Sequence, residues 1–259
     1  MRSGKLSVVK IGGKLIEEKE TLEKLLLDLI HMEGKKILVH GGGNMATELS
    51  AKLGYQTRMV DGRRITDADS LQVIVMVYGG LINKTLVSRL QFLGADAVGL
   101  CGADGKALVS RKRRVAEIDY GFVGDIEEVN VEFISLLLEQ NIIPVFSAIS
   151  WSKAGELLNT NGDTVAAEVA GALAGRYDTG LYYCLDKNGV LADPSDEASL
   201  IPSLDKNSYE TLRDQGIISG GMLPKLFNCF GALERGVDRV FLGGSAMLGT
   251  NAERTEIRK

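Results

Sequence analysis

Twice in the first 45 residues an aliphatic run ends in consecutive glycines and gives way to a helical pattern. Leu6–Ile11 runs into Gly12-Gly13, and Lys36–His40 runs into Gly41-Gly42-Gly43. A strand that ends in glycine and turns directly into a helix is the building unit of a parallel α/β sheet, whose strands need helical crossovers. Glycine there also lets backbone N–H groups approach an anion closely, and the helix N-terminus adds its dipole. A plain strand-to-helix turn accounts for either loop alone; two in succession point to anion binding.

The rest of the chain keeps this alternation. Leu22, Leu25, Leu26, Leu29 and Ile30 make one apolar helical face that Gly34 closes. A helix after the second loop carries Met45, Leu49 and Leu53 on one side. Thr66-x-x-Asp69 reads as a capping box opening a long helix to about Phe92. Strands are predicted at Ala97–Leu100, Ile142–Phe146, Gly180–Leu185 and Arg239–Leu242, with hairpins in the polar stretch Lys106–Gly124. Helices are predicted from Asp163 to about Leu173 and along the stripe Leu226, Cys229, Phe230, Leu233. The style changes near Gly175, so residues 1–175 and 176–259 are expected to be two lobes of one continuous domain.

Bulk properties remove several function classes. A content of 45% hydrophobic and 25% charged residues is ordinary for a globular protein. The net charge of −4 gives no electrostatic reason to expect nucleic acid, and the basic run Arg111–Arg114 has no aromatic residues interleaved. No unbroken apolar run approaches the roughly 20 residues that span a bilayer, and Met1–Gly4 leads straight into a strand. A cytoplasmic protein without a membrane partner is expected. Cys101, Cys184 and Cys229 are widely spaced and odd in number, as reduced thiols are. His31 and His40 are the only histidines, which excludes mechanisms needing several.

The chemistry-bearing segments are open to more than one reading. Lys10-Ile11-Gly12-Gly13-Lys14 is not a GxxxxGK[ST] loop, a pattern absent from the chain. Gly41-x-Gly43-x-x-Ala46 fits a dinucleotide fingerprint, with Asp61 near the place of a ribose-binding acid. Against that, it comes after the second strand, a similar loop with a flanking lysine precedes it, and the stretch before Asp61 is short. Arg63-Arg64, after Asp61-Gly62, is either a solvated pair or a carboxylate grip. In Asn159-Thr160-Asn161-Gly162-Asp163 the aspartate is locally an N-cap candidate. Ser219-Gly220-Gly221-Met222-Leu223-Pro224-Lys225 is a glycine-rich turn into a helix, and Asp186-Lys187-Asn188-Gly189 a reverse turn after a strand.

Taken together and in order, these segments resemble the amino acid kinase family. The likeness covers Val8 to about Val240 and rests on Val9–Gly13, Val39–Gly43, Gly62–Thr66, Gly121–Gly124, Asn159-x-Asn161-x-Asp163 and Gly220-Gly221-Met222-x-x-Lys225. It implies a three-layer αβα sandwich around an open, mostly parallel sheet of about eight strands. It also implies ATP-dependent phosphorylation of the γ-carboxylate of an N-acylated L-glutamate, N-acetyl-L-glutamate first, as in arginine biosynthesis. The N-terminal lobe would hold the acyl-glutamate and the C-terminal lobe ATP, with Mg2+ carried mainly by the phosphates and no protein metal site. By matching position, Lys10 and Lys225 would stabilise the transferring phosphoryl group, with Asp163 holding both lysines. Gly12, Gly13, Gly41, Gly42 and Gly43 would offer backbone N–H groups. Arg64, Asn159 and Asn161 would bind substrate, and Asp186, Gly189, Gly220, Gly221 and Met222 the nucleotide. Asn44 comes after the triple glycine as in bacterial UMP kinases, Gly162 stands where alanine is common, and the tail after Gly243 departs from the family pattern. N-succinylglutamate, glutamate or UMP as substrate, or a non-catalytic role, are the alternatives. A short lead before the first strand suggests a plain homodimer without arginine feedback.

The chemistry agrees with the resemblance. A carboxylate is already a nucleophile, so phosphorylating it needs no general base; it needs two repelling anions aligned and neutralised. Two lysines and two amide-lined loops are suited to that, and the scarcity of histidine is then no obstacle.

Overall fold

The computed structural model describes residues 2–60, 63–115, 117–249 and 252–259. Asp61 and Gly62, singled out in the sequence, lie outside the described residues. The chain begins with β1 (Lys5–Ile11), α1 (Gly13–Glu17), α2 (Lys19–His31), β2 (Lys35–His40), α3 (Gly43–Lys52), β3 (Arg58–Val60) and β4 (Arg63–Ile65). After these come α4 (Ala68–Ile74), a π-helical segment Val75–Ile82, α5 (Asn83–Phe92), β5 (Ala97–Leu100), β6 (Leu108–Lys112), β7 (Gly124–Val129) and α6 (Val131–Glu139). Next come β8 (Ile143–Ser147), β9 (Ile149–Ser152), β10 (Leu157–Asn159), α7 (Gly162–Leu173) and β11 (Asp178–Cys184). The last elements are β12 (Ser203–Leu204), α8 (Lys206–Asp214), α9 (Met222–Glu234), β13 (Arg239–Gly243) and β14 (Arg254–Ile257).

Compactness divides the chain into Met1–Lys36 with Ala166–Lys259, and Ile37–Val165. The change of sequence style predicts a single boundary near 175, with the amino terminus in the same lobe as the residues up to that point. The first unit instead takes in both ends of the chain, because β1 pairs along its whole length with β11, from Lys5 opposite Asp178 to Ile11 opposite Cys184.

In the first unit the strands run in the order β12-β14-β13-β11-β1. Pairing is parallel except between β13 and β14. β14 comes from the tail whose role the sequence left open. Val8, Val9 and Ile11 of β1 are fully buried. Leu22, Leu25, Leu26 and Leu29 of α2 are buried too, the stripe expected from their spacing. Leu226, Cys229, Ala232 and Leu233 form the inner face of α9. The exposed helix α8, with Asp205 capping the Ser208 N–H at 2.8 Å, was not anticipated, since none of its residues is buried.

In the second unit β2 and β5 both pair in parallel with β8. A separate sheet runs β10-β9-β6-β7, and β3 and β4 form a short hairpin. The polar stretch expected to hold hairpins supplies β6, which pairs antiparallel with β7. Two expectations need correcting. The buried face of α3 is Ala46 and Ser50, whereas Leu53 is half exposed. The helix cap is Asp67, whose carboxylate accepts the Ser70 N–H at 2.8 Å, and not Thr66, whose backbone is tied to the loop strand at Tyr120 and Phe122.

On length and average composition, the helix Ala68–Phe92 is apolar enough to cross a bilayer, although Asp69, Gln72, Asn83, Lys84 and Arg89 interrupt its apolar run. Its inner face is core: Val73, Ile74, Val77, Ile82, Leu86 and Leu90 are buried. The π-helical segment within it packs on the second glycine loop. A Cβ on Gly42 would collide with the Ile82 side chain and lie 3.1 Å from the Tyr78 ring, and φ there is +154°.

Gly121 is equally constrained: φ is +70°, and a Cβ would run into the Thr66 carbonyl. Gly121→Ala is therefore expected to lower the unfolding free energy by about 2 kcal/mol or more, measured by urea denaturation.

Candidate functional site

In the first unit a cleft of about 390 Å³ opens beside the carboxyl ends of β1 and β11. The strand register decides its chemistry. Lys10 and Gly12 at the end of β1 meet Cys184, Leu185 and Asp186 at the end of β11, and Lys225 enters from the first turns of α9. Val190, Leu191 and Ile218 give the cleft an apolar wall, and Lys187 adds a further cation. The Lys225 ammonium lies 5.4 Å from the centre of the Tyr183 ring. Lysine side chains and an apolar wall thus line the same cleft, with Lys187 paired to Glu197 at 3.1 Å, and such a lining suits a ligand that carries both anionic groups and a flat organic body.

The expected nucleotide residues divide by position. Asp186, Gly189 and Met222 line the cleft. Gly220 and Gly221 do not; they form the turn that leads into α9, with Gly220 at φ +54° and Gly221 at the helix cap. Gly13 likewise starts α1 directly behind the lining residue Gly12. Asp186 is held by Lys14 at 2.9 Å, which raises the Lys14 pKa. Lys14 was not assigned a role from the sequence, and its place just after the glycine pair was the available signal. Among the described residues no group of three His, Cys, Asp or Glu side chains is placed to hold a metal ion. The carboxylate on this cleft, Asp186, is tied to a lysine. That donor set suits a metal brought in by a ligand's own phosphates better than one resident on the protein.

In the second unit the Gly41–Gly43 loop opens α3, whose first turn carries no acidic residue. Arg64, on the β3–β4 hairpin, reaches this loop. Its Nη2 donates to the Gly43 carbonyl at 3.0 Å and to Thr47 Oγ1 at 2.7 Å, and its Nη1 donates to Thr57 Oγ1 at 3.0 Å. Three of the five guanidinium N–H groups are thereby engaged, leaving two to meet a carboxylate. Thr66 links this arginine to Asn159: the Asn159 amide donates to Thr66 Oγ1 at 3.0 Å, and Thr66 Oγ1 donates to the Arg64 carbonyl at 3.4 Å. Tyr78 also belongs to this cluster. Burial raises its phenol pKa while the Arg64 charge opposes the rise, and a Cβ on Gly43 would lie 3.9 Å from its hydroxyl. Sequence reasoning missed Tyr78 because it sits inside an apolar helical run, where a ring reads as core.

Asn159 ends β10, and Asn161 immediately precedes α7. Asn161 Oδ1 accepts the Asp163 N–H at 2.7 Å, so the capping role falls to Asn161. The local reading of Asp163 as the cap is thereby removed; it occupies the first turn of α7, nine-tenths buried.

Cys101, Cys184 and Cys229 are reduced, with Cys184 and Cys229 buried. Burial pushes the Cys184 thiol up from 9.0 to about 12, against the pull of the Lys10 charge, so it is no nucleophile at neutral pH. The folded chain keeps this proton after the unfolded chain has released it. The resulting stability is whole below pH 9.0 and is lost as the pH rises toward about 12. Between pH 8 and 10 the wild type is expected to lose on the order of 1 kcal/mol more unfolding free energy than Cys184→Ala, by denaturant titration at each pH.

Residues 5–244 match the model of the amino acid kinase family. Acetylglutamate kinase of Parabacteroides distasonis is 51% identical over 238 residues, covering 92% of this chain and 93% of that protein. Acetylglutamate kinase of Bacteroides fragilis is 46% identical over 255 residues, covering 98% and 97%. Among solved structures, N-acetylglutamate synthase from Neisseria gonorrhoeae, complexed with coenzyme A and N-acetyl-glutamate, superposes with a TM-score of 0.84 at 24% identity. That match covers all of this chain and 60% of the synthase, and it bears on the fold alone. A mostly parallel α/β architecture whose main-sheet strands number eight, five in the first unit and three in the second, agrees with these likenesses, and the chain belongs to the amino acid kinase family.

Proposed function

We propose that the chain is an ATP-dependent kinase that phosphorylates the γ-carboxylate of an N-acylated L-glutamate, N-acetyl-L-glutamate in the first place, as a step of arginine biosynthesis. The near-full-length likeness to kinases named for that substrate carries this reading. It is supported by two sets of anion-handling groups, suited to a reaction that needs no general base. The first unit's cleft would take ATP, with the phosphates toward Lys10, Gly12, Gly13 and Lys225 and the nucleoside toward Asp186, Gly189 and Met222. Gly220 and Gly221 would shape the entry to α9. The second unit would take the acyl-glutamate: Arg64 and Asn159 grip its α-carboxylate, with Asn161 alongside. The Gly41, Gly42 and Gly43 backbone receives its reacting carboxylate. Asp163 would orient the two lysines rather than remove a proton.

In the reaction a γ-carboxylate oxygen attacks the terminal phosphorus and the bond to the ADP oxygen breaks. Negative charge passes from the carboxylate to the leaving phosphate, and no proton need move. The protein's share is alignment and charge neutralisation. Mg2+, held mainly by the phosphates, would neutralise part of their charge. A homodimer is the assembly proposed, because Met76, Leu81 and Phe92 stand 51%, 56% and 74% exposed along the helix Ala68–Phe92. The reduced cysteines accord with a cytoplasmic setting. Sedimentation equilibrium is expected to give twice the mass of one chain.

A coupled ATP-turnover assay with N-acetylglutamate, N-succinylglutamate, glutamate and UMP tests the function. Turnover is expected with an acylated glutamate; activity with UMP alone, or with none of the four, overturns the proposal. Lys10→Ala and Lys225→Ala are each expected to lower kcat by about a hundredfold or more, the order measured when one preorganised oxyanion donor is removed elsewhere. Near-normal turnover in either variant removes that residue from the phosphoryl site.

A further inference from the structure

His40 is completely buried at the end of β2, directly before the glycine loop, and Asn83 is 1% exposed at the start of α5. Neither residue has a part in the chemistry above. The Asn83 amide nitrogen donates to the Val145 carbonyl at 2.8 Å and lies 3.1 Å from His40 Nε2. Lys84 Nζ donates to Asn83 Oδ1 at 3.2 Å. These partners fix which way the amide points. Exchanging its oxygen and nitrogen would set oxygen against the Val145 carbonyl and an NH2 group against an ammonium. Asn83 therefore donates to Nε2, so Nε2 is the acceptor and the ring proton sits on Nδ1. From there it is donated to the Gly41 carbonyl at 2.8 Å.

The Gly41 carbonyl and the Gly42 N–H belong to one planar trans peptide and point in opposite directions. Whatever holds the carbonyl toward the imidazole also holds the Gly42 N–H away from it. Gly42 is the residue of this loop at positive φ, and such a peptide flips easily unless it is restrained. We propose that Asn83, acting through the His40 imidazole, is a positioning residue that locks the Gly41–Gly42 peptide so that the Gly42 N–H stays presented to the acidic substrate. The π-helical turn that ends at Ile82 brings Asn83 to this place while Tyr78 and Ile82 close on Gly42 itself. This deepens the proposed function and rests on its assignment of the Gly41–Gly43 loop to the acyl-glutamate.

The test uses the full chain and pairs of variants that differ in one donor. His40→Asn keeps an N–H near the place of Nδ1, whereas His40→Leu removes it. His40→Leu and Asn83→Leu are expected to raise KM for N-acetylglutamate roughly tenfold, the order of one lost hydrogen bond, with KM for ATP within about twofold of wild type. Isothermal titration of N-acetylglutamate is expected to weaken by the same factor. His40→Asn is expected to recover most of that loss. Asn83→Leu added to His40→Asn is expected to cost little more, since the relay no longer runs through Asn83. Thermal melts identify variants that are merely unfolded, and substrate titrations on the folded fraction decide for those. Equal impairment in His40→Asn and His40→Leu overturns the proposal, as does a proportional rise in both KM values or independent effects in the double variant. If the wild type neither turns over nor binds any acylated glutamate, the functional reading has failed; if it does both and the variants show no such split, only this inference has.

Discussion

The parallel ladder between β1 and β11 is the contact on which the first unit depends. It joins residues more than 170 positions apart, and its register sets Ile11 beside Cys184. Parallel neighbours end at the same edge of a sheet, so the segments leaving both strands emerge on that edge. Gly12 and Asp186 therefore face one cleft, although nothing local in the chain connects them. Without that register the glycine pair would be only a turn and Asp186 only the residue after a strand. The Lys14–Asp186 ion pair is a consequence of the register and not its cause, since both side chains are largely solvated and such pairs contribute little to stability.

In the second unit the corresponding constraint is the direction of a few peptide groups. Glycine permits the Gly41–Gly43 loop, but permissiveness does not select a conformation. Selection comes from packing on one side, where Ile82 and Tyr78 leave no room for a side chain on Gly42, and from hydrogen bonds on the other, where His40 and Arg64 hold the Gly41 and Gly43 carbonyls. Arg64 thus brings its charge to the loop and fastens the loop in the same contact. On the proposed function, a donor array restrained in this way would meet a developing charge with little reorganisation, which is the condition under which backbone amides contribute most to phosphoryl transfer.

Much of this was legible in the sequence for identifiable reasons. β1, β2, β5, β8, β11 and β13 were foreseen because each is an aliphatic run closed by turn residues, and α2 because its leucines recur at helical spacing. β14 and α8 were not: one lies in an atypical tail, and the other buries none of its residues, so neither carries the apolar signal from which elements are read. Thr66 and Asp67 show the limit at single-residue scale. Both suit a helix start, and only the pull of the Gly121 loop on the Thr66 backbone assigns the cap to Asp67.

The sequence alone determined the fold class, the two glycine loops and the charged and amide side chains that flank them, because these depend on periodicity, residue type and order along the chain. Tertiary structure decided the rest. It decided that Asn161 and not Asp163 caps α7, that Arg64 spends part of its donor set on Gly43 and Thr47, and that Tyr78 joins the loop. It also decided that His40 keeps its proton on Nδ1, through Asn83 forty-three residues away. Each of these is a choice among partners that the local chain leaves equivalent. A hydrogen bond is settled by distance and direction in three dimensions, and spacing in sequence fixes neither across such separations.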